Sequence, residues 1–121
     1  MQNEHGVTLE VMEIARVETL LDRYPRAVDR LFTAAERAYC NPKRKAAQHY
    51  TARLAAKVAA RRLLGGGMLA DFEVVRDERG APSLALRGRA AEIAGDCRWL
   101  LSLSHDAGVA AAYVARLDGL G

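Results

Sequence analysis

The sequence predicts an α+β domain with helices first and an antiparallel sheet after them. Three observations carry that prediction. A short opening stretch alternates apolar and polar residues, helical spacing then runs to Leu64, and beyond Gly65-Gly66-Gly67 the period returns to two. At 121 residues, 50% hydrophobic and 27% charged, the chain suits one domain with a modest core. It is too short for two domains and too apolar for a disordered tail.

The elements follow in order. Val7 to Met12 alternates as a strand, with Val7, Leu9 and Val11 on one face and Thr8, Glu10 and Met12 on the other. Glu13 to Tyr24 has helical spacing, with Ile14, Val17, Leu20 and Leu21 together and Arg16, Asp22 and Arg23 outside. Pro25 ends that helix or starts a short second one. Thr33-Ala34-Ala35-Glu36 is a capping box, so a helix runs from Thr33 to about Cys40, where Asn41-Pro42 breaks it. Lys45 to Leu64 is the longest predicted helix, rich in Ala and Leu and closed by the glycines. On it Tyr50, Leu54 and Val58 form one stripe, and His49, Arg53, Lys57 and Arg61 the next. Phe72–Arg76 and Ser83–Arg87 read as a hairpin around Asp77-Glu78-Arg79-Gly80. Gly88 to Ala94 fits a short helix, and Trp99–Ser104 and Ala107–Leu117 fit two closing strands.

Charge is unevenly placed. The net charge of +3 combines a segment with seven bases and no acid, from Lys43 to Arg62, with a remainder of 11 bases and 15 acids. That segment admits three readings: a solvated face whose arginine stems cover apolar surface, a nucleic-acid contact, or a phosphate or nucleotide site. Tyr50 is its only aromatic and no zinc-finger or helix-turn-helix spacing accompanies it, so nucleic acid is not expected as a partner. Arg53, Lys57 and Arg61, one turn apart, with Lys43-Arg44-Lys45 at the helix entrance, are suited to a polyphosphate.

Other signals are weaker. Cys40 and Cys97 match no metal or disulfide spacing, and a cytoplasmic location is expected. The opening residues show no signal-peptide pattern, and no apolar run approaches the length of a membrane span. Arg outnumbers Lys by 15 to 3, which suggests a GC-rich bacterial genome. Ser104, His105 and Asp106 cannot form a hydrolytic triad, because neighbours on a strand point to opposite faces. His105 is in phase with Leu101 and Leu103, as either a core histidine or a ligand contact at a strand end. Glu10 and Glu13 are candidate ligands for a hard cation.

Taken in order, these blocks resemble the holo-acyl-carrier-protein synthase family of 4′-phosphopantetheinyl transferases. Gly6-Val7-Thr8-Leu9-Glu10-Val11-Met12-Glu13-Ile14-Ala15-Arg16 is similar to that family's opening G-I-G-V-D-I-V-E-I-x-R. Phe32-Thr33-Ala34-Ala35-Glu36-Arg37-Ala38-Tyr39-Cys40 is similar to F-T-x-x-E-x-x-Y-C, and Arg53-Leu54-Ala55-Ala56-Lys57-Val58-Ala59 to R-F-A-A-K-E-A. The hairpin blocks around Val74–Pro82 and Leu86–Ala91, and the closing Ser102-Leu103-Ser104-His105, complete a resemblance over nearly the whole chain.

The resemblance implies a single domain, residues 1–121, with the 4′-phosphopantetheinyl transferase fold, its long central helix packed on an antiparallel sheet, and a homotrimer. Family members use Mg²⁺ to move phosphopantetheine from coenzyme A to a serine of acyl carrier protein. By resemblance Arg53, Arg62, Gly66 and the Lys43, Arg44, Lys45 cluster would meet coenzyme A. Pro82 and His105 would reach that nucleotide cleft from a neighbouring subunit. Glu10, Lys57 and His105 are the candidate catalytic residues. Arg16, Arg23 and Arg26 would face the acidic recognition helix of the carrier protein.

The departures fall in the expected active site. The family's metal-binding Asp is Glu10, its second metal-binding acid is Val58, the Lys four residues later is Arg62, and the second opening Gly is Thr8. Valine offers no ligand and arginine no proton acceptor. These changes predict a homologue that binds acyl carrier protein but has lost or altered phosphopantetheine transfer. It would act instead on a carrier-tethered acyl or polyketide intermediate, as a cyclase, dehydratase or isomerase using Glu10 and His105. The alternative is an active Mg²⁺-dependent holo-acyl-carrier-protein synthase. A structural or nucleic-acid-binding protein is the third reading.

Overall fold

The computed structural model describes residues 6–117. The opening residues 1–5, read above for a signal peptide, lie outside the described residues. The order is β1 (Gly6–Glu13), α1 (Ile14–Arg23), α2 (Pro25–Leu31), α3 (Ala34–Cys40), α4 (Ala46–Leu64), a 3₁₀ turn (Leu69–Asp71), β2 (Phe72–Arg76), β3 (Pro82–Leu86), α5 (Gly88–Ala94), β4 (Arg98–Asp106) and β5 (Val109–Leu117). The α+β expectation holds. Pro25 begins α2 at its first turn, where a missing N–H costs nothing.

The strands form two antiparallel sheets. One has the order β1-β5-β4, and the other pairs β2 with β3. β1 therefore joins the C-terminal hairpin, with Leu9 opposite Tyr113 and Glu10 opposite Ala112. The β4–β5 turn carries Ala107 at φ 51° and Gly108 at φ 82°. Positive φ at both central residues suits the right-handed twist of the strands it joins.

α4 occupies the centre. Eleven of its nineteen residues are buried, so it is enclosed on most sides. Ala55, Ala56, Ala59 and Ala60 are fully buried and pack in one core cluster with Ala112 and Val114 of β5. Small side chains on both surfaces let helix and sheet approach closely. A second cluster joins Val17, Leu21, Phe32, Cys40, Tyr50 and Leu54, which seats α1 and α3 against the other flank of α4. Gly65 caps α4 in the left-handed region at φ 84°, where a side chain would be strained. Gly66 follows in close contact with α5, since a Cβ there would lie 2.8 Å from Ile93 Cδ1.

Among the described residues no helix is long and apolar enough to cross a membrane.

Candidate functional site

Two places on the fold gather the residues singled out by the sequence. The first surrounds Tyr39 at the C-terminal end of α3. Arg53 lies over its ring at 4.2 Å from the centroid, Lys43 at 4.4 Å and Arg76 at 5.1 Å. The ring face is electron-rich and favours cations. None of the three is in an ion pair among the described residues. Arg53 is 2% exposed, and its Nε is buried with no hydrogen-bond partner. A buried donor without an acceptor costs about 1–3 kcal/mol. Three cations outside any ion pair, of which Arg53 and Arg76 also donate to the His49 and Gly80 carbonyls, fit a bound phosphate group.

His49 packs edge-on against Tyr39 at 5.9 Å, and His105 packs against His49 at 6.0 Å. This corrects one expectation. His105 is exposed at the end of β4, so the core-histidine reading is wrong. Within the chain its ring meets His49, and Pro82 begins β3 opposite Arg76. Arg44 and Lys45 are exposed on the turn before α4.

The His49 imidazole is held below its ordinary pKa of 6.5, first by burial and then by Arg53, His105, Lys43 and Arg76. The unfolded chain therefore binds the His49 proton at a higher pH than the folded protein does. The sign is fixed: this residue's contribution to stability is lost as pH falls below 6.5. His49→Gln should flatten the acid side of the stability profile, measured as urea midpoints between pH 7 and pH 5. An unchanged slope would contradict the lowered proton affinity of the half-buried His49 imidazole.

The second place lies between β1 and the C-terminal half of α4. Arg62 donates from Nη2 to Glu10 Oε1 at 2.6 Å and from Nη1 to Thr8 Oγ1 at 3.4 Å. Val58, Arg61, Arg62 and Gly65–Gly67 line an open hollow of about 500 Å³ beside this pair. Gly66, expected at the cofactor, is on its wall. Glu13 lies on the opposite face of β1 from Glu10 and pairs with Arg16. Mg²⁺ demands near-octahedral oxygen coordination, commonly from one or two carboxylates plus substrate oxygens. Here the one converging carboxylate is occupied by a guanidinium, and the position one turn earlier on α4 is valine. Among the described residues no three His, Cys, Asp or Glu gather as a metal site. The donor set does not fit Mg²⁺.

Lys57 is a further correction. The sequence grouped it with Arg53 and Arg61 on a polyphosphate-binding stripe and gave it a catalytic role. Its side chain is fully buried, and Nζ donates to Glu36 Oε1 at 2.5 Å. Burial lowers the Lys57 pKa and Glu36 acts in the opposite direction. The other Glu36 oxygen accepts from Val74 N at 2.8 Å, and Thr33 bridges from the capping box to Glu73. Glu73 in turn accepts from Arg87 at 2.6 Å. Lys57 thus anchors a network tying α3, α4 and β2 together. Cys40 is buried beside it, with its thiol pushed up to about 11, chiefly by burial.

Sequence reasoning missed Tyr39, His49 and Arg76 as members of one cluster. The available signal was the aromatic four residues before Lys43, at the end of a capped helix.

Arg16, Arg23 and Arg26 are all exposed on or just after α1. Between α1 and β1 runs a groove of about 470 Å³, with Arg16 and Leu20 among its walls.

The profile of the 4′-phosphopantetheinyl transferase superfamily matches residues 6–114. The chain belongs to this superfamily. A Geobacter holo-[acyl-carrier-protein] synthase is 44% identical to it over 91% of this chain and 95% of that protein. An Anaeromyxobacter holo-[acyl-carrier-protein] synthase is 45% identical over 96% and 97%. A Bacillus anthracis holo-(acyl-carrier-protein) synthase, solved in complex with CoA (3′,5′-ADP), superposes with a TM-score of 0.79 at 25% identity, covering 98% of this chain and 100% of that one.

These likenesses overturn the expectation that this superfamily member has lost or altered phosphopantetheine transfer. Relatives sharing 44–45% of residues over more than nine-tenths of the chain are named as synthases. The error was to treat the carboxylate missing at Val58 as decisive. The structure shows Glu10 already neutralised by a cation of the chain itself.

Proposed function

We propose that this protein is a holo-acyl-carrier-protein synthase, transferring 4′-phosphopantetheine from coenzyme A to a serine of acyl carrier protein. The observation that carries it is the cluster of Lys43, Arg53 and Arg76 around Tyr39, none of them in an ion pair among the described residues, in a chain whose relatives bear that name. The Bacillus anthracis neighbour holds coenzyme A or its 3′,5′-ADP part, an anion of the kind this cluster suits.

The chain's residues divide the work. Arg53, Lys43 and Arg76 hold the adenosine bisphosphate through charge-assisted hydrogen bonds. His49 and His105 wall the same site. Arg61 and Arg62 face the hollow where the pyrophosphate would lie. The serine oxygen bonds to the phosphorus bearing pantetheine, the P–O bond to adenosine 3′,5′-bisphosphate breaks with its electron pair, and the serine proton passes to water. Catalysis of this kind is chiefly positioning and charge stabilisation.

The carrier protein docks on α1. Its acidic surface suits Arg16, Arg23 and Arg26, and Leu20, 41% exposed, offers an apolar anchor among them. Arg16→Glu is expected to raise KM for the carrier about tenfold with little change in kcat. An equal fall in kcat would move Arg16 from docking to chemistry.

A homotrimer in the cytoplasm of a bacterium completes the reading. Val7, Leu9, Val11, Leu100 and Tyr113 are each more than half exposed on one face of the β1-β5-β4 sheet. Such a contiguous apolar face marks an association surface. Tyr113→Glu should convert the trimer to monomers in light scattering. A wild-type monomer would remove the assembly from the account.

The function is tested by release of adenosine 3′,5′-bisphosphate from coenzyme A, followed chromatographically with apo carrier protein. Release in step with carrier modification is expected. Release without the carrier would indicate hydrolysis instead.

A further inference from the structure

We infer that the guanidinium of Arg62, braced by Glu10 and Thr8, supplies the positive charge that meets the substrate pyrophosphate, so that transfer by this protein does not depend on a divalent cation. The inference rests on the transferase reading above and concerns how this chain carries it out.

Four observations support it. Glu10 is engaged by Arg62 at 2.6 Å, and the side chains are 20% and 54% exposed. The carboxylate is thus largely enclosed while the guanidinium opens outward. Position 58, one helical turn before Arg62, is valine and gives a metal no ligand. Glu13 cannot replace it, because alternation along β1 puts it on the other face. Finally, Arg62 fronts the hollow shared with Val58, Arg61 and the three glycines, and Arg61 is in no ion pair among the described residues.

The chemistry follows from the donors. A guanidinium has more N–H groups than the contacts to Glu10 and Thr8 use. The spare donors form a planar fork that matches phosphate oxygens, unlike an ammonium. Glu10 fixes that fork before the substrate arrives, so little ordering remains at the moment of reaction. As the bond to adenosine bisphosphate breaks, charge grows on the leaving phosphate, and Arg62 is placed to meet it. Arg62 is always protonated, so it does not take the serine proton.

Two measurements test this, one without turnover. In the first, transfer is followed after exhaustive EDTA treatment. The wild-type rate should be unchanged, and Arg62→Ala should fall about 10²–10³-fold without rescue by added Mg²⁺. In the second, Mn²⁺ is titrated with and without coenzyme A, and free Mn²⁺ is read by electron paramagnetic resonance. Wild type should leave the free signal unchanged, and Val58→Glu combined with Arg62→Ala should reduce it. Transfer abolished by EDTA and restored by Mg²⁺ would overturn the inference, as would wild-type Mn²⁺ binding that Glu10→Gln removes. Absence of transfer under both conditions would sink the transferase reading instead. The Mn²⁺ titration would still decide which cation the site accepts.

Discussion

Lys57→Ala is expected to lower the unfolding free energy by about 3–5 kcal/mol, because it strands a buried carboxylate. Glu36 is 1% exposed. One of its oxygens accepts from Lys57 and Thr33 N, and the other from Val74 N. Removing the ammonium leaves the charge but not the compensation. Replacing Glu36 and Lys57 together by Leu and Met is not expected to restore stability, since Thr33 N and Val74 N would then lose their acceptor. Urea denaturation of the single and double variants separates these outcomes. A deficit below about 1 kcal/mol for Lys57→Ala would show that water reaches Glu36 and that the network is not the anchor described.

The second large effect concerns the anion cluster. Lys43→Ala combined with Arg76→Ala should weaken coenzyme A binding about 10²–10⁴-fold, since each of the two lost charged hydrogen bonds is worth about 1.5–3 kcal/mol. Both residues are exposed, so the fold should tolerate the change. Affinity of the wild type should fall as salt is raised, and the double variant should show a shallower dependence. Calorimetry at two ionic strengths reads both. Equal affinity for the double variant and the wild type would remove the cluster from the substrate site.

The local features of the fold were legible in the sequence, and the long-range ones were not. Thr33 and Glu36 announced α3, the alternation after Gly67 announced the hairpins, and the glycines stopped α4 where expected. Those signals depend on neighbours within a few residues. The pairing of Leu9 with Tyr113 has no local signature, so the splitting into two sheets came only from the structure.

The site shows the same limit. The capping box accounted for Glu36 so completely that its buried second role went unseen. Yet Lys57 stands among Ala55, Ala56, Ala59 and Ala60, and a lysine flanked by alanines on a buried helix demands an acidic partner. The Tyr39 cluster draws its cations from the α3–α4 turn, from α4 and from β2. The block resemblance named Arg53 and Lys43 but gave no reason to add Arg76. The sequence shows position 58 as a lost ligand, position 62 as a lost proton acceptor and position 10 as a retained carboxylate, each taken separately. In the structure two of them form a single ion pair.

The most direct test of the account is the intact mass of apo acyl carrier protein after incubation with this protein and coenzyme A. The account predicts a gain of one phosphopantetheine group, absent when the acceptor serine is replaced by alanine. An unchanged mass, with coenzyme A bound and the carrier folded, would contradict it.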